Sequence, residues 1–286
     1  MTKKIKFFGI FLILICLQAS DALAKKLELI PTSHLGGPQG ILINSVTEIT
    51  KNSKIETSTK QFGSCGEAVS YFNEATHPIG IIWSDTMVKQ SKDTKQNCIV
   101  NFEKTTPIAM TFSAFEVCVL KGTEIKPRSM LTLGNIKFNP MASQLEHMNG
   151  NYFNIKFKNV VYGGSSQVLA GILNREVDIG IIATGNAAAA IKAGTIDCLY
   201  STGSKKYNQK PLSLFAGKNA LSEFKLGLIL LVKNVDTEDL VTLEDLLSKN
   251  LPTYLDQQEM VGTKIKINKE DLDKFIKTAE ENSLYQ

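Results

Sequence analysis

The 286-residue sequence is short of the side chains that most often build catalytic and anion-clamping sites: it has two arginines, three histidines and one tryptophan. With only Arg128 and Arg175 present, a carboxylate ligand would be held mainly by backbone N–H groups, hydroxyls and helix N-termini rather than by a guanidinium clamp. His34, His77 and His147 are far apart and stand in no recognisable metal-binding or nucleophile-activating spacing. No general acid/base pair is identifiable, so the sequence argues against an enzyme.

Cysteine is also scarce, with five in the whole chain. Cys16 follows the bulky Ile15, which argues against lipidation of its thiol. The other four have no C-x-x-C spacing and no nearby histidine, so a zinc site and other metal cofactors are not expected. In an oxidising compartment they would form one or two disulfides, in any of three full pairings, or stay as buried free thiols. The four are Cys65, Cys98, Cys118 and Cys198.

The chain lacks an apolar run long enough to cross a bilayer, which takes about 20 residues. Its longest candidate, Phe7–Leu17, follows three lysines and precedes the small residues Ala22-Leu23-Ala24. This order is typical of a cleaved secretory signal, so residues 1–24 are interpreted as a signal peptide and the mature protein is expected in the periplasm. Without the signal lysines the formal net charge of +4 falls close to zero. No basic cluster indicates nucleic-acid binding.

Short apolar runs alternate with helical patterns along the rest of the chain, which predicts an α/β fold with largely parallel sheets. Ser64 and Glu67 have the spacing of a capping box at a helix start. The N-terminal segments are strands at Lys26–Pro31, Lys54–Thr59 and Ile79–Trp83 and a helix at Ile41–Ile49. The C-terminal segments are a strand at Leu226–Val232, a helix from Asp236 and a final helix from about Asn268.

Two segments predict that the chain crosses between two lobes. Phe112–Leu120 is a long β-type run that would lead into the second lobe, and the strand at Cys198–Tyr200 would lead back. Residues 25–120 and 202–286 would then form lobe 1, and residues 121–201 would form lobe 2. Trp83, the only tryptophan, is expected beside the cleft between them.

In open α/β sheets ligands bind at the carboxyl ends of the strands, and several polar or Gly-rich loops of this chain fall there. The first, Ser33–Gly40, contains Gly36, Gly37 and Gln39, and also His34, a candidate pocket residue. Ser84 follows the third strand. Each could equally belong to an ordinary turn.

In the second lobe, Asn135 and Asn139 follow the predicted strand Leu131–Leu133, where they would offer amide donors or belong to a solvated loop. The stronger candidate for a ligand-binding loop is Val160–Gln167, whose pattern predicts a strand, a Gly loop and a helix start. Its backbone N–H groups and hydroxyls would favour a small anion, and plain N-capping is compatible with that role. The candidate residues there are Tyr162, Gly163, Ser165 and Ser166.

The order of motifs resembles one family over nearly the whole mature chain. Tyr162-Gly163-Gly164, Glu176-Val177-Asp178 and Ala190–Ile196 look like the family's tyrosine-glycine loop, its G-x-V-D strand and its I-K-A-G-K-L segment. The family is that of the substrate-binding proteins of tripartite tricarboxylate transporters, also called Bug-type or TctC-like receptors.

The resemblance implies a two-lobed type II periplasmic-binding-protein fold, a Venus flytrap, which captures a small carboxylated metabolite in the cleft between its lobes for membrane permease subunits. Thr184 joins the candidate ligand residues on this basis. Where the family has a Pro-rich loop with an acid, this chain has Thr32–Leu35 and then Gly40, which implies an atypical ligand. A sensor protein that docks on a receptor kinase and a secreted enzyme on the same scaffold are the alternatives. The protein is expected to be a monomer.

Overall fold

The computed structural model describes residues 25–125, 130–136, 156–202 and 225–282. The predicted signal peptide, residues 1–24, and the candidate ligand residue Asn139 lie outside the described residues. None of the helices in the described part of the chain is long and apolar enough to cross a bilayer.

Strands and helices alternate as the sequence predicts. The strands are β1 (Lys25–Pro31), β2 (Ile55–Thr59), β3 (Ile79–Ser84), β4 (Thr106–Ser113), β5 (Phe115–Leu120), β6 (Met130–Ile136), β7 (Lys156–Tyr162), β8 (Ile179–Ala183), β9 (Ile196–Ser201), β10 (Leu226–Lys233) and β11 (Met260–Ile265). The α-helices are α1 (Pro38–Thr50), α2 (Cys65–Glu74), α3 (Met87–Thr94), α4 (Ser165–Leu173), α5 (Thr184–Lys192), α6 (Thr237–Gln257) and α7 (Lys269–Asn282).

The described strands form two sheets, and each sheet with its helices is called a lobe below. The first lobe has the strand order β11-β4-β10-β3-β1-β2, and the second has β7-β6-β8-β5-β9. In each sheet three strands are parallel, with β1 between β2 and β3 in the first lobe and β6 between β7 and β8 in the second. The remaining pairings are antiparallel. The two-lobed α/β fold is thus confirmed, with mixed rather than largely parallel sheets.

The predicted crossing strand Phe112–Leu120 is two strands that meet at Ala114. β4 pairs within the first sheet, whereas β5 pairs with β8 and β9 of the second. The break is fixed by backbone partners, because the N–H of Thr184 donates to the carbonyl of Ala114 at 2.9 Å. The division of the chain at residue 120 remains a prediction, and the strand pairing argues for moving it to Ala114.

Buried apolar side chains hold the helices on their sheets. In the first lobe α1 and α6 cover one face, with Leu42 and Leu247 fully buried, and α2 and α7 cover the other, with Phe72 fully buried. Helix α1 begins three residues earlier than Ile41, since Pro38 suits the first helical position, where its missing N–H costs nothing. The apolar stripe of α6 faces the core as its spacing predicts.

All four cysteines of the described chain are paired. Cys65 is bonded to Cys98 and Cys118 to Cys198, closing sequence separations of 33 and 80 residues. The first disulfide attaches the start of α2 to the segment that follows α3, and the second links the neighbouring strands β5 and β9.

Replacing Cys65 and Cys98 together by alanine is expected to lower the free energy of unfolding by about 2–4 kcal/mol, because the unfolded chain is no longer constrained by the closed loop. Urea unfolding of the mature protein measures the difference, and the pair Cys118→Ala/Cys198→Ala is the matched comparison. Alkylation of any of these four thiols in the native, unreduced protein would contradict the pairing.

Candidate functional site

A cavity of about 370 Å³ lies between the two lobes. Its walls come from the ends of β3, β6 and β7, from the turns that follow β1, β2, β3 and β7, and from the first residues of β5 and β10. Strands β1, β2, β3, β6 and β7 present their carboxyl ends there, which is the edge where open α/β sheets bind ligands, and β5 and β10 begin at this edge because they run antiparallel to β8 and β3. The cavity therefore occupies the place that the sequence predicts.

The β1–α1 loop is shaped by the amide of Gln39. Its Oε1 accepts the N–H groups of Thr32 and Ser33 at 2.7 and 3.1 Å, and its Nε2 donates to Thr32 Oγ1 at 2.9 Å. Gln39 lines the cavity but is 2 % exposed. Because these bonds occupy its amide, Gln39 orders the loop rather than offering a free donor to a ligand.

His34 lies at the tip of the same loop and lines the cavity. The N–H of Gly36 donates to His34 Nδ1 at 2.9 Å, so the neutral imidazole carries its proton on Nε2. The ring also reaches the second lobe, where a Cβ atom placed on Gly163 would lie 3.6 Å from His34 Cδ2. His34 is thus a cavity residue that contacts both loops.

The two Gly-rich loops touch across the mouth of the cavity. The carbonyl of Gly36 in the first lobe accepts both the N–H and the Oγ–H of Ser166 in the second lobe, each at 3.0 Å. A Cβ atom on Gly164 would lie only 3.1 Å from the Gly36 carbonyl oxygen, so a side chain there would push the two loops apart by a few tenths of an ångström. Ser166 therefore binds the opposite lobe, not the cavity.

Two helix N-termini from opposite lobes reach the cavity without a cap of their own. The N-caps of α1 and α4 are Gly37 and Gly164, neither offers a side-chain acceptor, and neither helix has an acidic residue in its first turn. Both glycines line the cavity. The positive end of each helix dipole favours an anion here. Backbone donors are few, because Pro38 has no N–H and the N–H of Ser166 is taken by the carbonyl of Gly36.

The other two helices that start at the cavity already have acceptors within the protein. In α2, Ser64 Oγ accepts the N–H of Glu67 at 3.3 Å, and Glu67 Oε2 accepts the N–H of Gly63 at 3.1 Å. This confirms the predicted capping box, with Gly63 as the second donor. At α3, the backbone N–H of Thr86 bonds to the carboxyl of Asp85. Since α1 and α4 have no side-chain cap, an anion is best placed at their N-termini, although the N–H of Ser166 in α4 is already bonded to the Gly36 carbonyl.

The polar groups of four other predicted ligand residues have hydrogen-bond partners within the protein. Ser165 and Thr184 are fully buried: Ser165 Oγ accepts the N–H of Ala183, and Thr184 Oγ1 donates to Glu116. Asn135 lies within β6, which extends to Ile136, and its Nδ2 donates to Asn159 at 2.9 Å. The fourth is Tyr162, which lines the cavity, but its hydroxyl donates to Glu176 at 3.3 Å.

Of the candidate ligand residues, the structure brings five to the cavity wall. They are Gly37, Gln39, Ser84, Tyr162 and Gly163. Gly36 and Ser166 form the contact between the lobes beside it.

Sequence reasoning missed much of the first lobe's wall. The β2–α2 turn contributes Gln61–Cys65, and α3 contributes Thr86, Met87 and Gln90. The capping box at Ser64 was the available signal, because it marks another helix that starts after a parallel strand. The apolar wall residues Phe115, Ile136, Val161 and Leu226 sit in strands or at their ends and carry no such signal.

Trp83 does not border the cleft. It is 1 % exposed, its Nε1 donates to the carbonyl of Cys98 at 2.8 Å, and its ring packs edge-on against Phe102 and Phe275. Side chains alternate along a strand, so the neighbour of the cavity residue Ser84 points to the opposite face of the sheet. The expectation that Trp83 lies beside the cleft was wrong.

Two buried carboxyl groups lie close to the site. Burial raises the pKa of Asp85 to about 7, although the N–H of Gly227 donates to its Oδ2 at 2.9 Å. Burial likewise raises the pKa of Glu116 to about 7, opposed by the hydroxyls of Ser201 and Thr184 and reinforced by the charge of Glu259. Within the described residues no group of three or more His, Cys, Asp or Glu side chains could hold a metal ion.

Solved structures with a similar fold include a periplasmic binding protein and two proteins with a bound carboxylate. BugD, a periplasmic binding protein, has 14 % identity and a TM-score of 0.67, with 91 % of this chain and 96 % of that chain covered. MatC from Rhodopseudomonas palustris, with bound malate, has 15 % identity and a TM-score of 0.64 over 91 % and 99 % of the two chains. A second R. palustris protein, with adipate, has 14 % identity and a TM-score of 0.64 over 93 % and 98 %.

No family model and no curated protein matches this chain in sequence. At identities of 14–15 % the likeness shows a shared fold, so the protein has the two-lobed architecture of periplasmic solute-binding proteins. The fold implied by the resemblance to Bug-type and TctC-like receptors is confirmed.

Glu116→Gln is expected to stabilise the protein above neutral pH. A carboxyl whose folded pKa is raised contributes stability that is present below about pH 4.5 and is lost as the pH rises to about 7. Above that pH the wild type holds a buried carboxylate, which the amide variant lacks. The variant should therefore gain about 2–3 kcal/mol at pH 8 and little at pH 4.

Chemical unfolding at several pH values measures this gain, and the exposed Glu74→Gln serves as the control. If the free energies of unfolding of wild type and Glu116→Gln change with pH in the same way, Glu116 is not a buried group that resists ionisation.

Proposed function

We propose that the protein is an extracytoplasmic solute-binding protein that captures a small carboxylated metabolite between its two lobes. The observation that carries this proposal is the pair of uncapped helix N-termini, α1 from the first lobe and α4 from the second, at one cavity. A carboxylate held by both would contact both lobes at once. Ligand contacts of that kind stabilise the closed form relative to any open one.

The ligand class has independent support. Two structures of similar fold hold malate and adipate, and both compounds are carboxylates. The described cavity wall has no Lys or Arg side chain and includes the imidazole of His34 and the side chains of Ser33, Gln61 and Gln90, which are neutral groups suited to hydrogen-bonding an anion. Binding rather than catalysis is the role proposed for these groups.

The signal-like pattern of residues 1–24, the two disulfides and the fold shared with the periplasmic binding protein BugD support a periplasmic location. In this role the loaded protein, a monomer, delivers its ligand to permease subunits of the tripartite tricarboxylate type. Gly37 and Gly164 provide the anion contacts, with His34 and Ser84 beside them. Gly163 shapes the loop, because its N–H donates to Gln167 Oε1 at 2.7 Å.

A panel of di- and tricarboxylates, aromatic acids and acidic amino acids is expected to contain a compound that raises the melting temperature. A ligand at 100 times its Kd stabilises the native state by about 2.7 kcal/mol, which corresponds to roughly 5–10 °C for a protein of this size. Differential scanning fluorimetry measures the shift, and native mass spectrometry identifies any acid that co-purifies. Failure of every carboxylate in a broad panel would refute the proposed ligand class.

Gly164→Val is expected to abolish that response without unfolding the protein. Gly164 has extended backbone that valine adopts without strain, with φ −168°, but a side chain there meets the Gly36 carbonyl of the opposite lobe. The variant should keep the wild-type melting temperature within a few degrees without ligand and lose at least about tenfold in affinity. Unchanged affinity would show that closure of these two loops is not needed for binding.

A further inference from the structure

Part of the cavity wall is apolar, in contrast to the helix N-termini that favour an anion. Each lobe contributes three apolar side chains to this part. They are Phe62, Met87 and Leu226 from the first lobe and Phe115, Ile136 and Val161 from the second. A ligand between the lobes would therefore meet hydrocarbon from both sides.

Several polar side chains of the wall already have partners in the protein. The hydroxyls of Ser84 and Thr86 bond to each other at 2.9 Å, and the hydroxyl of Tyr162 is directed to Glu176. The amide of Gln39 is taken up by its own loop, and Ser64 Oγ caps α2. These groups offer little to the hydroxyls of a polyhydroxylated acid.

We propose that the captured acid has an apolar body, aliphatic or aromatic, rather than a hydroxylated one. The inference rests on the proposed function and adds the chemistry of the part of the ligand beyond its carboxylate. Burying hydrocarbon against Phe62, Ile136 and Val161, which keep exposed surface, favours binding. Met87, Phe115 and Leu226 lie behind them and are at most 8 % exposed. A ligand hydroxyl that loses water without finding a partner weakens binding by about tenfold.

The test compares acids that share a carbon skeleton and differ in hydroxyl groups. Hexanoate is paired with gluconate, and cyclohexanecarboxylate with quinate, and each Kd is measured by isothermal titration calorimetry on the mature protein. The unhydroxylated member should bind at least about tenfold more tightly in each pair, with a negative heat-capacity change from apolar burial. The same order should hold for the best-binding acids of the broad panel and their hydroxylated counterparts.

Gluconate or quinate binding as tightly as its partner would overturn the inference and leave the proposed function intact. So would a broad panel whose only binders are hydroxylated acids. Failure of all carboxylates, in contrast, would remove the proposed function itself, so the two failures are distinguishable.

Val161→Thr provides a matched structural test, since it replaces a methyl group of the wall by a hydroxyl of the same size. It should weaken binding of the preferred acid by about fivefold. Val241→Thr is the control, because Val241 lies on α6 away from the cavity and is similarly exposed, 52 % against 58 % for Val161. Equal affinities of the two variants for that acid would count against the apolar wall.

Discussion

The candidate site depends on one contact between the lobes, the carbonyl of Gly36 accepting two hydrogen bonds from Ser166. Gly36 and Gly164 favour this close approach of two loops that are distant in sequence, because a side chain at either position would crowd the opposite loop. Their meeting brings the N-terminus of α1 next to that of α4. Neither helix end would form an anion site alone with the same strength, whereas together they present two dipoles to one small volume.

Local sequence signals predicted the elements that build this arrangement. The Val160–Gln167 pattern gave the strand, glycine turn and helix of the second lobe, and the capping box at Ser64 gave the start of α2. These features are recoverable because backbone conformation and first-turn capping depend on residues only a few positions apart. The edge of the sheet at which the ligand would bind followed from the parallel strand order.

The directions of individual side chains could not be predicted in the same way. Ser165 and Ser166 are adjacent, yet one is buried against Ala183 and the other binds the opposite lobe. Thr184 is drawn inward by Glu116, a partner 68 residues away in sequence. The crossing strand was misjudged for a similar reason, because Phe112–Leu120 is continuous in β propensity and its break at Ala114 is imposed by strands of both lobes.

Phe115 has two roles in this structure. Its N–H donates to Thr202 Oγ1 at 2.8 Å and its carbonyl accepts the N–H of Thr202 at 3.0 Å, so it joins the two segments that pass between the lobes, and it also lines the cavity floor. Because Phe115 is only 1 % exposed, its ring belongs to the core behind the cavity wall and is not a free surface. The backbone is thus fastened to Thr202 directly after Ala114, the residue at which the chain leaves the first sheet for the second.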